Sequence, residues 1–179
     1  LSFDRRWREE VGSDDSHGRA LWALGAVVGR SAQGGLRDAA AQLFGRALPA
    51  ILDTTSPRAW AFALLGIHDY LRRFAGDSAV LSARRELGAR LEAGLREHQA
   101  PDWVWFEDVL SYGNAVLPHA LLRCGIGTDC GSMRDEALRA LRWPVALQRS
   151  EAGHFVPVGS NGSYPRGGTR ARFDQQPIE

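Results

Sequence analysis

At 179 residues, 44% of them hydrophobic, the chain is long enough for one domain with a substantial core. Its 22 basic and 21 acidic side chains leave a formal net charge of +1, which gives no support for a nucleic-acid footprint or a membrane-surface protein. Lysine is absent, so a Schiff-base lysine and the lysine of a phosphate-binding P-loop are both excluded.

No GxGxxG fingerprint is present, and Gly34-Gly35 and Gly167-Gly168 read as turn material, so no cofactor is expected. Cys124 and Cys130 flank a Gly-rich loop without a matching His/Cys set, so they read as free thiols rather than metal ligands. With no run long enough for a membrane span or a signal h-region, a cytoplasmic location is expected. The chain begins at Leu1 and stops at Glu179 inside an unfinished motif, so it reads as a segment of a longer protein.

In chain order, residues 1–13 are charged, with Trp7 as the single large anchor. Asp14-Asp15-Ser16 supply capping groups for a helix from about Ser16 to Arg30 with Ala20, Leu21, Leu24, Val27 and Val28 at helical spacing. Gly34-Gly35 close that segment. A second helix follows from about Leu36 to Leu52, striped by Leu43, Phe44, Ala47, Leu48 and Ile51, with Pro49 kinking or ending it. Ser56-Pro57 then caps a third, to about Phe74, that is apolar nearly all round and so buried on most sides.

The stretch from about Ser78 to His98 reads as an amphipathic surface helix. A further helix is expected from Glu107 or Leu110 to Arg123. Its amphipathic partner should run from about Ser132 to Gln148, with Leu138, Leu141, Trp143 and Leu147 facing the core. Residues 151–172 form a glycine-rich ordered loop or short hairpin at the rim. Buried and surface helices therefore alternate three times, with a period of roughly forty to fifty residues. An open solenoid and a closed (α/α) toroid both fit this order. The apolar inner and amphipathic outer members favour the toroid: all-α, present as a partial ring of about three hairpins. More of the parent chain or a second copy would complete it.

The densest cluster of functional side chains is the stretch from Pro101 to Ala115, with Trp103, Trp105, Phe106, Glu107, Asp108, Tyr112 and Asn114. Carboxylates beside aromatic rings suit a carbohydrate site: rings stack on apolar sugar faces, and acids bond hydroxyls or move protons. The same residues also suit a helix N-terminus whose aromatics fill core. Trp103 and Trp105 alternate, so one is expected in the core and the other free to stack. Trp22, Trp60 and Trp143 are assigned to the core. His68 and His119 lie within helices and read as packed, whereas His154 is loop-borne.

The segments Asp15–Trp22, Trp105–Asp108, Tyr112–Ala115 and Phe173–Glu179 resemble bacterial six-hairpin glycosidase-like domains. Members of that group often accompany, or are fused to, glycosyltransferases of the retaining nucleotide-sugar type. The resemblance covers most of this chain and about half of a full ring. It implies a sugar site over the N-terminal ends of the inner helices, with a flanking transferase domain or further toroid segment as partner.

On this basis Glu107, Asp108 and Asp174 are candidate catalytic carboxylates. Asp15, His17, Arg19, Arg58, Trp103, Trp105, Tyr112, Asn114, Gln175 and Gln176 are candidate substrate contacts. Arg19 in a first helical turn opposes the helix dipole, a cost that a substrate or a carboxylate partner offsets. On a helix, Glu107 and Asp108 point about 100° apart, so a second carboxylate would come from Asp15 or Asp174. A sugar epimerase using His17 and His154, a non-catalytic carbohydrate-binding or scaffolding domain, and a helical-repeat interaction module are the alternatives.

Overall fold

The computed structural model describes residues 2–6 and 11–173 and is mostly helical. Six helices span Asp14–Arg30 (α1), Gly34–Ile51 (α2), Pro57–Leu71 (α3), Ser78–His98 (α4), Val116–Gly127 (α5) and Gly131–Leu147 (α6). Two short strands, Val109–Leu110 (β1) and Tyr164–Pro165 (β2), pair antiparallel, Val109 opposite Pro165 and Leu110 opposite Tyr164. No helix among the described residues is long and apolar enough to cross a membrane.

Helix α3 is the hub. It packs against α1 on one side and α5 on the other, with α4 also on it, while α2 rests on α1 and α6 on α5. Nearly every residue from Arg58 to Leu71 is buried, as its all-round apolar pattern requires. Ser56 caps it by accepting a hydrogen bond from the Ala59 amide at 3.3 Å, with Pro57 in the first turn.

Helices α1 and α3 meet backbone to backbone. A Cβ placed on Gly18 would lie 2.6 Å from the Ala59 carbonyl oxygen, and one on Gly25 would overlap the Gly66 carbonyl. Gly29 lies as close to the Asp69 backbone, and Gly66 to Leu21. The glycines of α1 recur at spacings of seven and four, on one helix face, so the seam has no room for side chains. This seam sets Asp15 and Arg19 beside Arg58 and Phe62.

The structure shifts several expected boundaries. The cap of α1 is Ser13, which accepts from the Ser16 amide at 3.2 Å; Asp14 and Asp15 lie inside the first turn, where their charge complements the dipole. Gly34 and Gly35 open α2 instead of closing the preceding segment, and Pro49 sits within its last turn. Leu43 is 52% exposed; the buried stripe of α2 is Ala40, Phe44, Leu48 and Ile51. Helix α3 stops at Leu71, and in α6 the buried positions are Met133, Ala137, Ala140 and Pro144, with the leucines and Trp143 only half-buried.

The largest correction concerns the segment before α5. The helix expected from Glu107 or Leu110 begins only at Val116, and residues 101–115 are a loop carrying β1. Aromatic packing holds that loop. Trp103 meets Trp143 edge-on at 4.9 Å and Tyr164 at 5.5 Å, and Trp105 packs on Phe106 and Trp143. Residues 151–172 contribute β2 to a ladder with β1, and they are also tied to themselves by backbone bonds from the Gly159 amide to the Ala171 carbonyl and from the Ala171 amide to the Ser163 carbonyl, each 2.9 Å. Buried Gln148 fastens that segment, its side-chain oxygen accepting from the Val158 amide at 2.9 Å.

Candidate functional site

Arg58 is the organising group at the leading end of α3. It is 5% exposed, and its guanidinium donates to the Glu107 carboxylate, to the Tyr112 carbonyl oxygen at 2.7 Å and to the Ser111 hydroxyl at 2.8 Å. It also lies 4.7 Å from the centre of the Tyr112 ring. A buried guanidinium is tolerated because its planar donor fork is matched in this way. Arg58 stands in the first turn of the buried helix α3, and its partner is a loop carboxylate.

The network continues to α1. The Tyr112 hydroxyl donates to Asp15 at 3.4 Å, and Arg19 Nε donates to the other Asp15 oxygen at 2.7 Å. Burial, reinforced by the Asp15 carboxylate, raises the Tyr112 phenol above its ordinary range. Arg19 lies 4.2 Å from the Phe62 ring centre, and Phe62 stacks on Trp22 at 5.7 Å. The dipole cost expected for Arg19 is offset by Asp15 and by this ring. Tyr112 is 44% exposed, and half-buried Trp22 lines an open hollow of about 320 Å³ with Arg19, Ala23, Ala26 and Arg30.

So the fold joins Asp15, Arg19, Arg58, Glu107 and Tyr112, from three separate stretches of sequence, at one end of the row. It places the other candidates elsewhere. Asp108 turns away from Glu107, toward Arg166 at 3.3 Å, so these neighbours serve different parts of the molecule. They diverge because the segment is a bent loop leading into β1, and the helical geometry expected for them does not apply.

His17 is bonded through Nε2 to the Ala47 carbonyl oxygen at 2.9 Å, which ties it to α2 at the edge of a groove of about 550 Å³ bounded by Asp14, Asp53 and Thr54. Asn114 is buried and clamps its own loop, accepting from the Ser111 amide at 3.1 Å and donating to the Ser111 carbonyl at 3.3 Å. The expectation that one indole of the Trp103/Trp105 pair is free to stack is corrected: both are buried, and Trp103 Nε1 donates to the Glu107 carbonyl oxygen at 2.8 Å. Their shared inward direction follows from packing against α6, which overrides simple alternation.

His154 is exposed on the loop after α6, so it does not meet His17 on α1 in any described contact. His119 is exposed on α5 and half-buried His68 lies on α3. Asp174, Gln175 and Gln176, like Trp7, lie outside the described residues. Among the described residues no group of three or more His, Cys, Asp or Glu side chains is arranged to hold a metal ion. Cys124 and Cys130 are free thiols.

Trp22, assigned to the core from its sequence, is the residue that sequence reasoning missed. Its signal is its position one turn after Arg19 on the same helix face. Comparison with protein-family models, with curated proteins and with solved structures finds no match for this chain.

Proposed function

We propose that the leading end of the α1–α3–α5 row is a saccharide-binding surface and that the row is an arc of a helical toroid. The observation that supports this reading best is the grouping of two part-exposed rings, Tyr112 and Trp22, around the Asp15–Arg19 ion pair. Rings present flat apolar faces to a sugar, while the carboxylate and guanidinium supply acceptors and donors for its hydroxyls. Arg58 and Glu107 position this surface from beneath: Arg58 carries Tyr112 on its guanidinium plane and holds Glu107 in an ion pair.

Binding is favoured over hydrolysis because the two expected neighbouring acids diverge, and Glu107 and Asp15 are each engaged by an arginine. In this reading a flanking transferase or a further stretch of toroid supplies the chemistry and this surface holds the glycan. A glycan array followed by calorimetry on the best ligand tests it. Tyr112→Ala and Trp22→Ala should each weaken binding about tenfold or more, with the fold retained. Absence of any glycan ligand, or affinity indifferent to both substitutions, removes the proposal. Turnover of a bound glycan that depends on Glu107 would restore the hydrolytic reading.

A further inference from the structure

The opposite end of α3 carries a different set of groups, which the saccharide reading does not use. Asp69 is 2% exposed there and receives Arg30 through two donors, at 2.7 and 3.2 Å, with Arg72 at 3.6 Å. The charges of Asp69 and Arg123 reach both His68, one turn before Arg72 at the end of α3, and His119, one turn before Arg123 on α5. Arg84 joins them from α4: a Cβ on Gly127 of α5 would lie 2.6 Å from its Nη1, and its backbone carbonyl accepts from Cys124 Sγ at 3.6 Å.

The charges do not balance. Asp69 is the acid facing this group, and Arg30 and Arg72 occupy it. Among the described residues Arg84 and Arg123 have no ion pair, and Arg84 Nε is buried with no hydrogen-bond partner. An orphaned buried guanidinium N–H is costly and calls for an acceptor. The two imidazoles behave as neighbours of uncompensated cations. Both are lowered from their ordinary pKa, first by partial loss of hydration and then by Arg123, with Arg72 and Arg84 adding to the effect at His68; Asp69 alone opposes it at each.

We propose that His68, Arg72, Arg84, His119 and Arg123 form a binding site for a dianionic oxyanion, either free or as the phosphoryl group of a phosphate ester. Three arginines from three helices supply forked donors suited to such an anion. The histidines add charge on binding, because an anion among them favours their protonated forms. The site lies along α3 from Arg58, roughly 16 Å away at 1.5 Å per residue, so it is separate from the saccharide surface and does not depend on it.

The test follows the imidazole C2 protons by NMR in sodium sulfate and in sodium chloride of matched ionic strength. Sulfate keeps its charge across the histidine range, so any pH dependence belongs to the protein. Sulfate should raise the apparent pKa of His68 and His119 while leaving His17, His98 and His154 in place, and its affinity should rise as the pH falls. Arg123→Gln should raise both histidines in chloride and weaken sulfate at least tenfold. Where that variant does not fold, Arg72→Gln at an exposed position should weaken sulfate several-fold.

Inorganic phosphate and glucose 6-phosphate separate the two sources: equal affinity assigns a free oxyanion, tighter binding of the ester assigns a phosphoryl group, and binding of neither overturns the site. Identical titrations in the two salts, five histidines moving together, or a folded variant that binds sulfate like the unaltered protein would also overturn it.

Discussion

The two ends of α3 solve the same electrostatic problem in opposite ways. At the leading end a buried cation, Arg58, is surrounded by acceptors: a carboxylate, a carbonyl, a hydroxyl and an aromatic face. At the trailing end a buried anion, Asp69, is met by exposed arginines, and further cations crowd behind it. The first arrangement is saturated, because each nitrogen of the fork has a partner. The second is in excess of positive charge. A saturated buried charge holds a loop in place, whereas an unsaturated cluster is poised to receive a ligand.

What keeps the two ends in line is the glycine seam between them, and breaking it should have the largest effect. Gly25→Val drives a branched side chain into the Gly66 carbonyl. The expected loss exceeds about 4 kcal/mol, leaving no cooperative melt by circular dichroism. A melt close to that of the unaltered protein would show that α1 and α3 are not in backbone contact.

Removal of the leading-end cation comes next. Arg58→Met leaves Glu107 unpaired beneath a loop that has lost its anchor, and should cost about 3 kcal/mol in urea unfolding. Arg58→Lys should recover little, since an ammonium cannot reach a carboxylate, a carbonyl and a hydroxyl in one plane. Full recovery by lysine would mean that the charge alone, not the fork, holds residues 107–112.

The trailing end should be the more sensitive to alkali. Tyr70 is buried and donates to Asp77, the cap of α4, at 3.0 Å, and its phenol is pushed up to about 12 by burial and by that carboxylate. A folded pKa above the unfolded value of about 10 means that the fold favours the neutral phenol. The associated stability is complete below pH 10 and lost as the pH rises through about 12, an effect of up to about 2–3 kcal/mol. Cys124, raised to about 11 by burial, adds to the loss at similar pH. No lysine titrates there to obscure it. Tyr70→Phe should flatten the alkaline limb of stability against pH, and an unchanged limb would remove Tyr70 from this role.

The smallest effect on stability is expected at Asp69. Its arginine partners are more than half exposed, so Asp69→Asn should cost only about 1–2 kcal/mol. Its effect on the histidines is the more informative. The Asp69 charge is what holds His68 and His119 up, so its removal should lower both further. Because their folded pKa values already lie below the ordinary 6.5, the stability tied to their neutral forms is complete above that value. It is lost as the pH falls from that value through the folded pKa values, and Asp69→Asn should carry the loss further down in pH and make it larger. Histidine titration by NMR measures both.

Much of the helical order was legible because it depends on local chemistry. Ser56-Pro57 announces α3, Ser78 and His98 bracket α4, and an apolar pattern on all sides places α3 in the middle. The segment from Trp103 to Asn114 was not legible in the same way. Its acids and aromatics imitate a helix start, but Gly113 takes a positive φ of 56°, and the tryptophans pack onto Trp143 and Tyr164, thirty or more residues away. The seam of Gly18, Gly25 and Gly29 against Ala59, Gly66 and Asp69 was not legible either. A glycine at such spacing marks a close approach only once its partner helix is known.

By itself, then, the sequence determined the order of the helices, though not where α5 starts, that α3 is the buried one, and that polar groups gather at the heads of α1 and α3. Capping, proline placement and apolar periodicity act within a few residues of chain, so they can be read locally. Only the tertiary structure decided which of those polar groups meet. Arg58 finds Glu107 and Tyr112 about fifty residues away, Tyr112 finds Asp15 across 97, and Asp108 is taken by Arg166. Such pairings follow from how closely the helices approach and which way a loop turns, and no local pattern encodes either.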